Sequence, residues 1–142
     1  MQDFKEEICL IVKNPYDTYK KNAITTATPG ELTYMLYDGC LKNIRKAKHA
    51  IEEKDYAKKS DGISKAQSIL RELQITLDPK IALSESMNLM YDYMIRRLSD
   101  ANIKNDCEVL SEIEGYAVEF RDSWKQAMQI SRSNQPVSGD SV

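Results

Sequence analysis

From Thr28 to Ile130 the apolar residues recur at three- and four-residue intervals and never alternate, a rhythm that admits helices and excludes a sheet. The first stretch opens on Thr28-Pro29-Gly30-Glu31. Threonine at the N-cap, proline at the first helical position and a glutamate three residues after the threonine form a capping box that satisfies otherwise orphan N–H groups. The stripe Leu32, Met35, Leu36, Gly39, Cys40, Ile44, Ala47, Ala50 and Ile51 predicts a helix ending near Lys54. Asp55 caps a second helix with the stripe Ile63, Ala66, Leu70, Leu73 and Leu77, which Asp78-Pro79 stops because proline disfavours α geometry in the residue before it. A third stripe, Leu83, Met87, Met90, Tyr91, Met94, Leu98 and Ala101, runs to a turn at Asn102-Ile103-Lys104-Asn105. Asn105 or Asp106 caps the fourth helix, whose stripe is Val109, Leu110, Ile113, Tyr116, Ala117, Phe120, Trp124 and Ala127.

Helices of about 25 residues span roughly 37 Å at 1.5 Å per residue, and short joints make sequential helices antiparallel. The expected fold is therefore all-α: an antiparallel up-down-up-down four-helix bundle over residues 28–130, preceded by an N-terminal arm or short cap helix in residues 1–27. Residues 131–142 lack apolar periodicity and read as a disordered tail.

Composition narrows the function. A chain of 142 residues suits one domain, and a net charge of -2 supplies no global field for nucleic acid or an anionic membrane. Cys9, Cys40 and Cys107 are odd in number and widely spaced, which argues for a reducing, cytoplasmic setting and against structural zinc. The apolar run Ile8 to Val12 is far too short to span a membrane.

Catalytic chemistry has little to work with. The Glu-x-x-His pairs of di-iron bundles are absent, so no metal or other cofactor is expected. His49 raises a phosphotransfer alternative, but Glu52 stands one turn on, where such a domain keeps a lysine, and would repel an incoming phosphoryl group. Phosphate-loop, dinucleotide and serine-nucleophile motifs are missing. Lys42, Arg45, Lys46 and Lys48 are interrupted by acids and read as a solvated face rather than a nucleic-acid site. Apolar residues off the main stripes remain: Leu89, Tyr93, Ile95 and Ile103 around the third helix, Ile69 on the second and Val118 on the fourth. They permit a shallow groove for an amphipathic segment of another chain, which makes a helical interaction module, a generic adaptor for disordered peptides.

Several motifs in order go further. Asn14-Pro15-Tyr16, Tyr19, Thr25-Thr26-Ala27-Thr28-Pro29-Gly30-Glu31-Leu32 and Met35-Leu36-Tyr37-Asp38-Gly39 resemble the amino-terminal signature of the flagellar export chaperone FliS family. Lys65-Ala66-Gln67, Tyr91-Asp92-Tyr93-Met94, Ala101-Asn102-Ile103-Lys104-Asn105-Asp106 and Glu119-Phe120-Arg121-Asp122-Ser123-Trp124 agree in sequence order, so the resemblance covers Asn14 to about Gln129. It implies a cytoplasmic, non-enzymatic chaperone that binds the disordered carboxy-terminal segment of flagellin, prevents premature polymerisation and engages an export-gate component together with its client. It also implies an amino-terminal arm that caps the bundle until the client arrives, with Tyr16 and Tyr19 as competitor or clamp residues. Leu89, Tyr93, Ile95, Asn102 and Ile103 are the expected groove contacts, chosen mainly from their flank positions. Met1 to Lys13 departs from the family pattern, which begins near Asn14.

Overall fold

The computed structural model describes residues 27–133, within which the chain forms four α-helices and no strand. The arm with Tyr16 and Tyr19, and all of the tail beyond Ser133, lie outside the described residues. Helix α1 spans Pro29–Glu52, α2 Tyr56–Ile75, α3 Leu83–Lys104 and α4 Cys107–Ser133.

The ends follow local chemistry. Thr28 Oγ1 accepts from the Glu31 amide at 3.1 Å and the Glu31 carboxylate accepts from the Thr28 amide at 3.4 Å, closing the expected box. Lys54 takes a left-handed φ of 60° to reverse the chain, and Asp55 caps α2 by accepting from the Lys58 amide at 3.1 Å. Helix α2 stops at Ile75, ahead of the expected Asp78: the Thr76 hydroxyl donates to the Leu73 carbonyl at 2.7 Å, and Leu77 leaves the helix to pack on the core. Asn105, with φ 53°, ends α3, and Asp106 caps α4 through the amides of Glu108 and Val109. Helix α4 continues past Ile130, where the stripe gave out, to Ser133.

Cross-helix bonds give the topology. Cys40 meets Ala66 and Lys46 meets Asp61; Gln67 meets Ile95 and Lys59 meets Asn102; Tyr93 meets Glu112; and Lys48 meets Glu114 while Trp124 meets Gly30. For α1–α2, α2–α3 and α1–α4 the numbers rise on one helix as they fall on the other, which leaves α4 antiparallel to α3 as well. Each neighbour is antiparallel, and α4 returns to close a square with α1. At its centre Leu41, Ile44, Ala47, Ile63, Ala66, Leu98, Leu110 and Ile113 are shielded from solvent. Tyr37, Leu41 and Ile69 are buried although they stand outside the expected stripes. Each helix borders two neighbours as well as the core, so its buried arc is wider than a single three-four stripe.

The α1–α2 seam is the tightest. A Cβ on Gly62 would lie 2.8 Å from the Asn43 carbonyl oxygen and 3.3 Å from Ala47, so only glycine permits this approach. Across the diagonal, the hydroxyls of buried Tyr37 and Tyr91 bond to each other while Phe120 packs on both rings, at centroid distances of 6.0 and 5.9 Å. Burial raises both phenol pKa values, and it pushes the neighbouring Cys40 thiol up to about 12, so that thiol stays protonated and inert.

Candidate interaction surface

Large apolar side chains left in solvent concentrate on the end of α2, the α2–α3 connection and α3. Ile75, Ile81, Leu83, Leu89 and Ile103 are all more than half exposed, Ile103 reaching 80%. The last buried residue of α2 is Leu73, Ile75 is exposed between it and Leu77, and Ile81 sits in the turn after Pro79, so neither isoleucine is needed by the core. Sequence reasoning missed both. An isoleucine off the stripe beside a helix-stopping Asp-Pro pair was the available signal. Leu83, expected in the core, lies outside it, in the first turn of α3.

The expected contact residues fall on three different faces. Tyr93 points to α4, where its hydroxyl donates to Glu112 at 2.6 Å and its ring meets Tyr116 edge-on. Glu112 thereby holds the Tyr93 phenol above its ordinary pKa. Asn102 turns the other way: its side-chain oxygen accepts from Ser60 at 3.0 Å and its carbonyl from Lys59 at 2.8 Å, binding it to α2. Ile95 packs against the core, and its carbonyl accepts from Gln67 at 2.9 Å on the same α2 side. Leu89 and Ile103 face outward, fourteen positions apart, which places them about 21 Å apart along α3. Ile95 and Asn102 are thus brought together along one seam, while Tyr93, Leu89 and Ile103 are not.

Polar clasps hold the rest of the surface. Glu114 of α4 accepts from Arg45 at 2.8 Å and from Lys48 at 2.7 Å, both on α1. Lys48 first and then Arg45 hold its carboxyl below the ordinary range. Asp61 is lowered likewise by Lys46 and Lys65. The basic residues of the α1–α2 corner are therefore largely spent on internal pairs. His49 is exposed between Glu52 and Glu53, at 3.7 and 3.3 Å, so two carboxylates flank the imidazole that the phosphotransfer alternative would use. A shallow cleft of about 280 Å³ lies where α1 begins and α4 ends, lined by Glu31, Tyr34, Lys125, Met128 and Gln129. Among the described residues no group of three or more His, Cys, Asp or Glu side chains could hold a metal, and no helix is long and apolar enough to cross a membrane.

A helical bundle whose α1–α2 corner cations are largely tied up in structural pairs, and which leaves large apolar side chains exposed along α3, has the character of a protein-interaction module. Comparison with known proteins says which kind. The chain belongs to the family of the flagellar protein FliS, whose family model matches residues 12–131. It is 55% identical over 130 residues to the flagellar secretion chaperone FliS of Bacillus subtilis (strain 168), covering 92% of this chain and 98% of that one. The corresponding chaperone of Salmonella typhimurium is 36% identical over 109 residues, covering 75% and 81%. A solved crystal structure of a bacterial flagellar chaperone superposes with a TM-score of 0.66 at 21% identity, over 80% of this chain and 94% of that one, and so shares the fold. The family consists of export chaperones and not of enzymes.

Proposed function

We propose that the client is flagellin: the protein binds flagellin's disordered carboxy-terminal segment in the cytoplasm, prevents premature filament assembly and helps bring the subunit to the flagellar type III export gate. The observation that carries this reading is the 55% identity, over nearly the full length, to a relative named as a flagellar secretion chaperone. The surface chemistry supports it. Segments that polymerise by burying apolar helical faces are blocked when another helical surface covers those faces, and occupancy alone suffices without a nucleotide. Leu89 and Ile103 offer exposed apolar area for such contact. Tyr93, Ile95 and Asn102 contribute from the rims of the α3 seams, and Tyr16 and Tyr19 of the arm act as lid or clamp.

A flagellin carboxy-terminal peptide is expected to form a one-to-one complex in gel filtration and calorimetry, with a negative heat-capacity change from apolar burial. Absence of binding at about 50 μM peptide, weaker than any affinity useful to a dedicated chaperone, refutes the reading.

A further inference from the structure

Helix α3 is attached unlike the other three. On α2, Ser60, Gln67 and Gln74 recur every seven residues, and each reaches α3 at a site that also steps by seven. Ser60 donates to Asn102, Gln67 to the Ile95 carbonyl and Ser99, and Gln74 to the Asn88 carbonyl and Asp92. The α2–α3 seam is thus a polar ladder, whereas the α1–α2 seam is closed by Gly62 against the Asn43 backbone. The ladder weakens toward the start of α3. The Ser60 bond at 3.0 Å and the Gln67 bond to the Ile95 carbonyl at 2.9 Å are half-buried and the exposed Gln67 bond to Ser99 is short at 2.8 Å, while both Gln74 bonds are exposed and longer, at 3.5 Å to Asn88 and 3.1 Å to Asp92.

Apolar packing follows the same gradient. Tyr91, Met94, Leu98 and Ala101 are buried, but before them Leu83 and Leu89 are exposed and Met87 and Met90 only half-covered. The first turn of α3 has no side-chain cap at Ala82. Its bonds go instead to its own connection: Ser84 donates through its hydroxyl to the Asp78 carbonyl at 2.6 Å and through its amide to Ile81. The connection and the first turn of the helix are therefore bonded to each other through buried Ser84, and between that turn and Tyr91 the Gln74 bond to the Asn88 carbonyl is what ties α3 to α2.

We propose that residues 78–90 form a latch that opens as one unit, hinged between the core anchors Leu77 and Tyr91, while the rest of the bundle stays folded. Opening uncovers the core surface beneath Met87 and Met90 and shields it again on closing. Local opening of this kind draws on few buried contacts and solvent-exposed bonds, both present here.

Amide hydrogen exchange of the client-free, full-length protein tests this independently of any partner. Met87 to Met90 form the second turn of α3 and are compared with the second turns of α1, α2 and α4, at 33–36, 60–63 and 111–114, so that ordinary end-fraying cancels. Exchange at 87–90 is expected to be at least about tenfold faster than in those turns, and insensitive to low denaturant as a local opening requires. Gln74→Ala should raise it a further threefold or so, about the value of one exposed hydrogen bond, while Ile44 and Leu98 stay unchanged. Equal rates in the four second turns, or rates at 87–90 unmoved by Gln74→Ala, overturn the latch.

Discussion

Two glycines show how a single hydrogen-to-methyl change reverses sign with its surroundings. At Gly62 a methyl would press on the Asn43 carbonyl, a backbone atom of α1 that moves only if the helix moves. Gly62→Ala gains roughly 1 kcal/mol of helix propensity and loses 1–3 kcal/mol to overpacking, and the shift demanded here lies at the costly end. The variant is expected to be about 1–2 kcal/mol less stable in urea unfolding, with an unchanged slope. At Gly115 nothing lies within 4 Å of the added methyl, and the residue faces solvent in the middle of α4. Gly115→Ala should therefore stabilise by about 0.5–1 kcal/mol in the same measurement. A Gly62→Ala protein as stable as its parent would mean that α1 and α2 are not in this close contact.

At the level of elements, the α1–α4 seam depends on acidity. Lys48 and Arg45 lower the Glu114 carboxyl from its ordinary 4.5, so the fold favours the ionised form and the unfolded chain takes up the proton first as pH falls. The stabilisation is complete above about pH 5 and drains away as pH drops through 4.5 toward the folded-state value. Glu114→Gln should cost about 0.5–1 kcal/mol at pH 7 and flatten the loss of stability between about pH 5 and pH 3. An unaltered pH profile would assign that seam's stability to packing instead. The four helices, their order and most caps were legible in the sequence because capping residues and stripes act within a few positions of chain. Tyr37, Leu41 and Ile69 were not, since their burial depends on which second neighbour each helix meets. The contact surface was least legible. Flank positions on one helix wheel do not say that Tyr93 turns to α4 while Asn102 turns to α2, and a dispersed surface leaves no short motif.

For the whole molecule, the question is what controls a partner's access to the apolar surface. The proposed lid or clamp at Tyr16 and Tyr19 is one answer and the proposed latch another, and they separate experimentally. If Tyr16 and Tyr19 act as a lid, removal of residues 1–22 should raise the association rate for the flagellin peptide in stopped-flow measurements, whereas loss of a clamp should mainly raise the dissociation rate. Neither change is expected to alter exchange at Met87 to Met90. The fold also carries a consequence for its own biosynthesis. The Trp124 indole donates to the Gly30 carbonyl at 2.8 Å, joining residues 94 positions apart, so the first turn of α1 gains this bond only after about two thirds of α4 has been made. A nascent chain stalled before Trp124 lacks both this closure and the last third of α4, so one hydrogen bond registers that synthesis has carried the final helix past its midpoint.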